Sequence, residues 1–219
     1  VFPVWSLAEA DEGEYQVVEV NDGGGIAGSV RFGDDYPPPK TVKVTRDNDV
    51  CGLSKPSEDF VVNEETKGLA NVVITLTDVT SGKAFMDGSE RTITQKTCVY
   101  EPHVQVFRPG DKVTFVNNDN LLHNVHTFEG DETLFNLAQP ASRPRLTRPL
   151  GSDVVEVVCD VHNWMRAYLV PVSNPYYAIT DASGGFRMNH VPPGIYEIVA
   201  WHELLGSMTK SVTVVSGQT

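Results

Sequence analysis

From Cys159 the chain reads Cys159-Asp160-Val161-His162-Asn163-Trp164-Met165, which puts a thiol, an imidazole and a thioether within seven residues. The apolar run Val154 to Val158 precedes them directly. A strand that ends in a tight loop can deliver three donors to one point without a helix. Soft sulfur donors combined with imidazole suit copper, and two histidines, one cysteine and a weak axial methionine suit one-electron chemistry. Zinc accepts Cys and His, but a thioether is a poor zinc ligand. A binuclear copper centre would need a second cysteine in the loop, and Cys159 stands there alone. The missing imidazole must come from elsewhere. Upstream, the run Pro109-Gly110-Asp111-Lys112-Val113-Thr114-Phe115-Val116-Asn117-Asn118-Asp119 leads into Leu121-Leu122-His123-Asn124-Val125.

These two stretches resemble the cupredoxin family, plastocyanin and amicyanin in particular. Its members share the pattern P-G-D-x-V-x-[FW]-x-N-x-D, then H-N-[IV], then C-x-x-H-x-x-M. The resemblance covers about 91–172. It implies one mononuclear copper ion, with His123, Cys159 and His162 as equatorial ligands and Met165 as the axial one. It also implies that Asn124 ties the two ligand loops together and that the edge of His162 faces solvent as the electron exit. Leu121 and Leu122 would then form a contact patch beside His123. Trp164, between the His and Met ligands, is expected to cover the metal. Asp160 stands where the family carries a small hydroxyl residue, so the loop-to-loop bond should differ. His126 lies three residues after His123, and strand alternation turns it to the opposite face. It is read as a packing or surface group, and becomes an additional ligand only if a bulge intervenes. His103 is the remaining histidine to check for a second metal. With Cys159 given to the metal, Cys51 and Cys98 remain as a disulfide pair; two separate buried thiols are the alternative.

Positioning such donors requires a rigid all-β scaffold. Short β-branched runs recur at Tyr15 to Val20, Ser29 to Phe32, Thr41 to Thr45, Val72 to Thr77, Lys112 to Asn117, Val154 to Cys159, Ala167 to Val172, Ile195 to Trp201 and Ser211 to Val215. Turn clusters such as Pro109-Gly110-Asp111, Ser183-Gly184-Gly185 and Pro192-Pro193-Gly194 separate them. That punctuation indicates sandwiches, and no window sustains a helical period, so helices should be few and short. Toward the end, Thr180-Asp181-Ala182-Ser183-Gly184-Gly185-Phe186 and Val191-Pro192-Pro193-Gly194-Ile195-Tyr196 resemble the signature of transthyretin-like, carboxypeptidase-regulatory-like sandwiches. The expected architecture is therefore all-β: a cupredoxin Greek-key sandwich over 91–172, inserted in or packed against a transthyretin-like sandwich built from 15–90 and 173–219. Two sandwiches in tandem is the alternative. Residues 1–14 read as an N-terminal tail. The cupredoxin segment is short for a free-standing one, so a flanking strand should complete one of its edges. The broader chain is similar to bacterial plastocyanin-like proteins labelled methylamine-utilisation-like.

Composition bounds the partners. Acidic residues outnumber basic ones 29 to 17, for a formal net charge of −12 over 219 residues. Nucleic acid and anionic membranes are disfavoured by that charge, and a basic protein partner is favoured. No apolar run approaches the roughly 20 residues of a membrane span. Three cysteines leave one thiol outside any disulfide. The expectation is a periplasmic or secreted electron carrier, not an enzyme, with its signal peptide removed. Its partner would be a redox protein such as a basic c-type cytochrome or an oxidoreductase. The competing reading is a β-sandwich binding module, for carbohydrate or protein, whose cupredoxin unit is structural or stores copper.

Overall fold

The computed structural model describes residues 15–33, 36–85 and 91–219. The tail expected over 1–14 lies outside the described residues. Within them every regular element but one is a strand, the exception being a one-turn helix at Asn48–Cys51.

The segment between 91 and 171 supplies two sheets of its own. One has four strands in the order Arg145–Pro149, Lys112–Asn117, Arg91–Lys96, Val99–Glu101. The other has five, in the order Glu132–Gln139, His123–Glu129, Val155–Val158, Arg166–Pro171, Val104–Phe107. Each sheet contains one parallel pair, Lys112–Asn117 with Arg91–Lys96 and Arg166–Pro171 with Val104–Phe107, so the chain crosses between the sheets and does not meander. Alternation aims Ile93, Val113 and Phe115 of the first sheet at Val125, Val155, Val157 and Leu169 of the second, and all seven are buried in one apolar cluster. Truncating a side chain such as Phe115 in a core of this kind typically destabilises by roughly 3–5 kcal/mol.

The flanking segments form a second sandwich. Val73–Leu76 pairs with Tyr177–Ile179 on one side and with Gly194–His202 on the other, and Gly206–Val214 completes that sheet. Strands before and after the 91–171 segment thus share one sheet. Gly24–Ser29 pairs with Gly185–Val191, and Ile26, Ile74, Leu76, Tyr176, Met188 and Val214 fill the space between. The loop 181–185 closes on the Asp181 carboxylate, which accepts from the backbone N–H groups of Ser183 and Gly185. Gly184 there adopts φ 78°, and a Cβ on it would come within 2.4 Å of the Val30 carbonyl oxygen.

No strand of the flanking segments enters either sheet of the 91–171 unit among the described residues, contrary to the expectation of a borrowed edge. The two units meet through side chains instead. Val73, Val104, Val106, Val170 and Val172 form a buried apolar contact, with Tyr168 and Trp201 against it. His103 and Glu203 pair across the same boundary. A third piece lies outside both sandwiches: Thr41–Lys43 and Ser54–Pro56 pair only with each other. The one-turn helix sits at the head of that hairpin, and a Cys51–Cys98 disulfide with Cα atoms 5.2 Å apart staples it to the 91–171 unit.

No described helix is long and apolar enough to cross a membrane.

Candidate metal centre

His123 opens the strand His123–Glu129, and Cys159 follows the strand Val155–Val158 that pairs with it. Tyr100 fastens the two, its buried hydroxyl lying 2.7 Å from the Asn124 carbonyl oxygen and 3.2 Å from that of Val158. After Cys159 the chain turns tightly: the Met165 N–H donates to the His162 carbonyl at 2.9 Å. That turn carries His162 and Met165 back over the end of the sandwich. His123 and His162 are 0 % exposed, and Cys159 and Met165 1 %.

Three donor atoms converge. The Nδ1 atoms of His123 and His162 lie 2.9 Å apart, and Cys159 Sγ is 3.9 and 3.8 Å from them. Such separations are those of donors sharing one ion at roughly 2.0–2.3 Å each. Met165 is buried in the same cluster as Cys159.

The outer face of each ring decides its protonation. His123 Nε2 lies 2.9 Å from Asp119 Oδ2, and His162 Nε2 lies 2.9 Å from Asp47 Oδ2. A carboxylate only accepts, so each ring directs an Nε2–H at its carboxylate, and a neutral ring in that tautomer presents a lone pair at Nδ1. Burial, together with the neighbouring His162 and against the pull of Asp119, keeps the His123 pKa below its ordinary value, so this ring is neutral. With both rings neutral, two lone pairs face each other at 2.9 Å. One thiol proton cannot serve both, whereas a cation between them satisfies all three donors. Burial also raises the Cys159 pKa, although the Asn124, His162 and Val161 N–H groups favour the thiolate. A metal bound at this point would displace the thiol proton.

Asn124 bridges the loops. Its side-chain oxygen accepts from the Asp160 N–H at 2.7 Å, its amide donates to Asp160 Oδ2 at 3.0 Å, and its backbone N–H points at Cys159 Sγ at 3.5 Å. Asp160 supplies a carboxylate to that bridge, and hydrogen bonding from His126 above all holds its pKa below the usual range. His126 is turned away from the donor cluster. Its Nδ1 contacts Asp160 and its Nε2 contacts Thr133 Oγ1 at 3.1 Å. Trp164 donates Nε1–H to the Cys98 carbonyl at 3.0 Å and sets its ring edge-on to His162 with centroids 5.2 Å apart. His103 belongs to the inter-sandwich pair with Glu203 and, among the described residues, is in no cluster of three donors. Cys51 and Cys98 are joined to each other.

One expectation is overturned. His162 has no solvent edge, because Asp47 and the stapled helix cover it. Leu122 is half exposed next to His123, while Leu121 packs inward on the core. Two residues of the site were given no role by sequence. Asp119 lies inside the quoted motif, four residues before His123, and its place after an Asn turn was the available signal. Asp47 is 115 residues from His162, and nothing near it in sequence marks it.

Comparison with known proteins adds a limited frame. A family model described as Polysaccharide lyase family 4, domain II, matches residues 148–219. That match, which begins inside the 91–171 unit, speaks against the transthyretin-like label without assigning the chain to another family. The motifs behind that label encode turns, here the Asp181 loop and the Pro192-Pro193-Gly194 corner, which β-sandwiches of several families need. A search of curated proteins finds no match. Among solved structures, a purple cupredoxin from Nitrosopumilus maritimus aligns at 19 % identity and a TM-score of 0.34, over 38 % of this chain and 100 % of that one. Amicyanin from Paracoccus versutus aligns at 17 % and 0.35, over 45 % and 97 %. A copper-containing nitrite reductase from Thermus scotoductus aligns at 16 % and 0.35, over 40 % and 23 %. Likenesses this weak leave the chemistry to rest on the donor geometry.

Proposed function

We propose that this chain is a mononuclear copper protein of the blue, type 1 kind that carries single electrons between redox partners in a periplasmic or extracellular setting. The observation that supports this above all is the pair of Nδ1 atoms aimed at one point beside Cys159 Sγ. A copper ion bound there would supply one-electron chemistry, with His123, His162 and Cys159 as its strong ligands and Met165 as the weak one. The thioether favours copper over zinc.

The rest of the chain keeps those donors still. Asp119 and Asp47 fix the ring tautomers, Asn124 locks one loop to the other, and the buried shell excludes water. Donors held in this way move little when the charge at their centre changes by one, and small rearrangement is what makes electron transfer fast. Their burial leaves little room for a substrate, which favours a carrier over an enzyme. The net charge of −12 suits a basic partner such as a c-type cytochrome or an oxidoreductase. A disulfide suits an oxidising compartment.

The test is optical. Metal-free protein titrated with Cu(II) should develop an intense visible band at one equivalent. Cys159→Ser should abolish the band while the far-ultraviolet circular dichroism stays that of the wild type. A fully loaded but colourless protein would sink the reading.

The match of residues 148–219 to a polysaccharide-lyase-associated domain favours a second reading, a carbohydrate-binding module in which the metal is structural. Retention on immobilised polysaccharide, unchanged by Cys159→Ser, would support it over the carrier.

A further inference from the structure

The four donors are closed from all sides, so an ion can reach them only if some wall moves. Three walls belong to the sandwich itself. Cys159 and Met165 lie in its apolar core. His123 is backed by Asp119, whose carboxylate is also held by the N–H groups of Thr97 and Cys98 at 2.6 and 2.8 Å. The fourth wall, over His162, is of another kind. It is the head of the hairpin that pairs with neither sandwich, and Arg46 to Val50 along it are exposed. Asp47 stands there at φ 52°, ψ 37°, with its side chain 39 % exposed. Three anchors hold this wall: the Asp47–His162 hydrogen bond, the buried Val44 and Cys51 side chains, and the disulfide to Cys98. At the base of the same hairpin, away from its head, a cleft of about 190 Å³ separates Lys55 to Asp59 from Asn163, Trp164 and Arg166.

We propose that the 47–52 segment is a lid on the metal centre, latched by Asp47 on His162 and tethered by the Cys51–Cys98 disulfide, and that the ion enters beneath it. The proposal rests on the metal-centre reading, yet the lid acts on the metal-free protein too. With the disulfide closed, the head of the hairpin can swing only about its bond to Cys98. With it open, the whole head can lift, and Cys159 comes within reach of solvent.

Cys159 is the one cysteine outside the disulfide, so it reports on the lid directly. Metal-free protein is treated with an aromatic disulfide reagent: the Cys159 thiolate attacks one reagent sulfur, a mixed disulfide forms, and the coloured aromatic thiolate leaves. The rate should rise about tenfold or more in the Cys51→Ala/Cys98→Ala double variant and severalfold in Asp47→Ala. Asp47→Asn keeps an oxygen that can accept from His162 Nε2–H and should stay near the wild-type rate. Val155→Ala weakens the core away from the lid and should leave the rate near wild type at matched stability. The rate at which the visible band develops with Cu(II) should follow the same order. Equal rates in wild type and Asp47→Ala, or a rise in Val155→Ala as large as in Asp47→Ala, would overturn the proposal. Asp47 is on the surface and its alanine variant should fold, so it decides the matter even if the double variant does not fold. Should Cys159 follow the predicted order while no band develops, the copper reading fails and the lid stands. Should the band develop with all rates equal, the lid alone fails.

Discussion

The two imidazoles of the centre make the same outward bond, 2.9 Å from Nε2 to a carboxylate oxygen, but the two carboxylates are held in opposite ways. Asp119 is buried and built into the sandwich. Its own N–H donates to the Asn117 side chain, and the Asn117 amide in turn donates to the Leu121 and Gln139 carbonyls. Asp119 also pins the turn between Arg91–Lys96 and Val99–Glu101, where Thr97 and Cys98 both take positive φ, 49° and 58°. Two-residue hairpin turns of that kind normally use Asn or Gly, and a β-branched Thr adopts the conformation only under outside constraint. Among the described residues the Asp47 side chain hydrogen-bonds to His162 alone, and reaches it from a hairpin outside both sheets. One imidazole is oriented by a group that also holds the fold, the other by a group the fold could lack.

The largest effect should therefore come from Asp119→Ala. It removes the acceptor of two backbone N–H groups, one of them buried, and the orienting bond of His123. At roughly 1–3 kcal/mol for each buried donor left unpaired, the loss should total about 4 kcal/mol. Denaturant unfolding of the metal-free protein would measure it. A loss below about 1 kcal/mol would break the contrast, because Asp119 would then be no more structural than Asp47.

This asymmetry also explains what sequence could reveal. Lys112 to Asn117 stands as a strand with the very bounds expected, since its β-branched core residues are local signals. The same holds for the cysteine loop, whose donors sit within seven residues. The strands Glu132–Gln139 and Arg145–Pro149 were not foreseen, because Gln139 is the one fully buried residue in them and their pairing with His123–Glu129 and Lys112–Asn117 is what makes them strands. Asp47 was illegible for the same reason at longer range. A hydrogen bond between residues 47 and 162 depends on the tertiary fold that lays the hairpin against the 91–171 unit. The expected solvent edge at His162 failed on that one contact.

The junction between the sandwiches offers an intermediate case, a charged pair that neither unit owns. Burial works to lower the His103 pKa, but the hydrogen bond and charge of Glu203, with the charge of Glu58, outweigh it and raise it above its ordinary 6.5. Tyr168 packs on the ring, and His202 lies near enough to feel its charge. A histidine whose native pKa is raised binds its proton more tightly when folded. Its contribution is complete below about pH 6.5 and drains away as pH rises through the native value. Glu203→Gln should cost about 1–3 kcal/mol near pH 6 and flatten the decline in stability between neutral and alkaline pH. Melting temperatures over that range at constant salt would measure it. A wild type as stable above the native His103 value as at pH 6 would exclude a charged pair at the junction.

Asp47→Ala should have the smallest effect on stability and so sharpens the contrast most. A pair with one partner 39 % exposed contributes on the order of 1 kcal/mol or less, since water screens the carboxylate. Orientation of a ligating imidazole is another matter: removing such a partner typically weakens metal binding by about 10–100-fold. Stability and affinity should then separate at Asp47 and fall together at Asp119, where the turn and the ligand share one carboxylate. Denaturation of the metal-free variants, paired with competitive Cu(II) titration against a chelator, gives both numbers on the same preparations. If Asp47→Ala destabilises the fold as much as it weakens the metal, the hairpin is a structural third layer and not an accessory to the site.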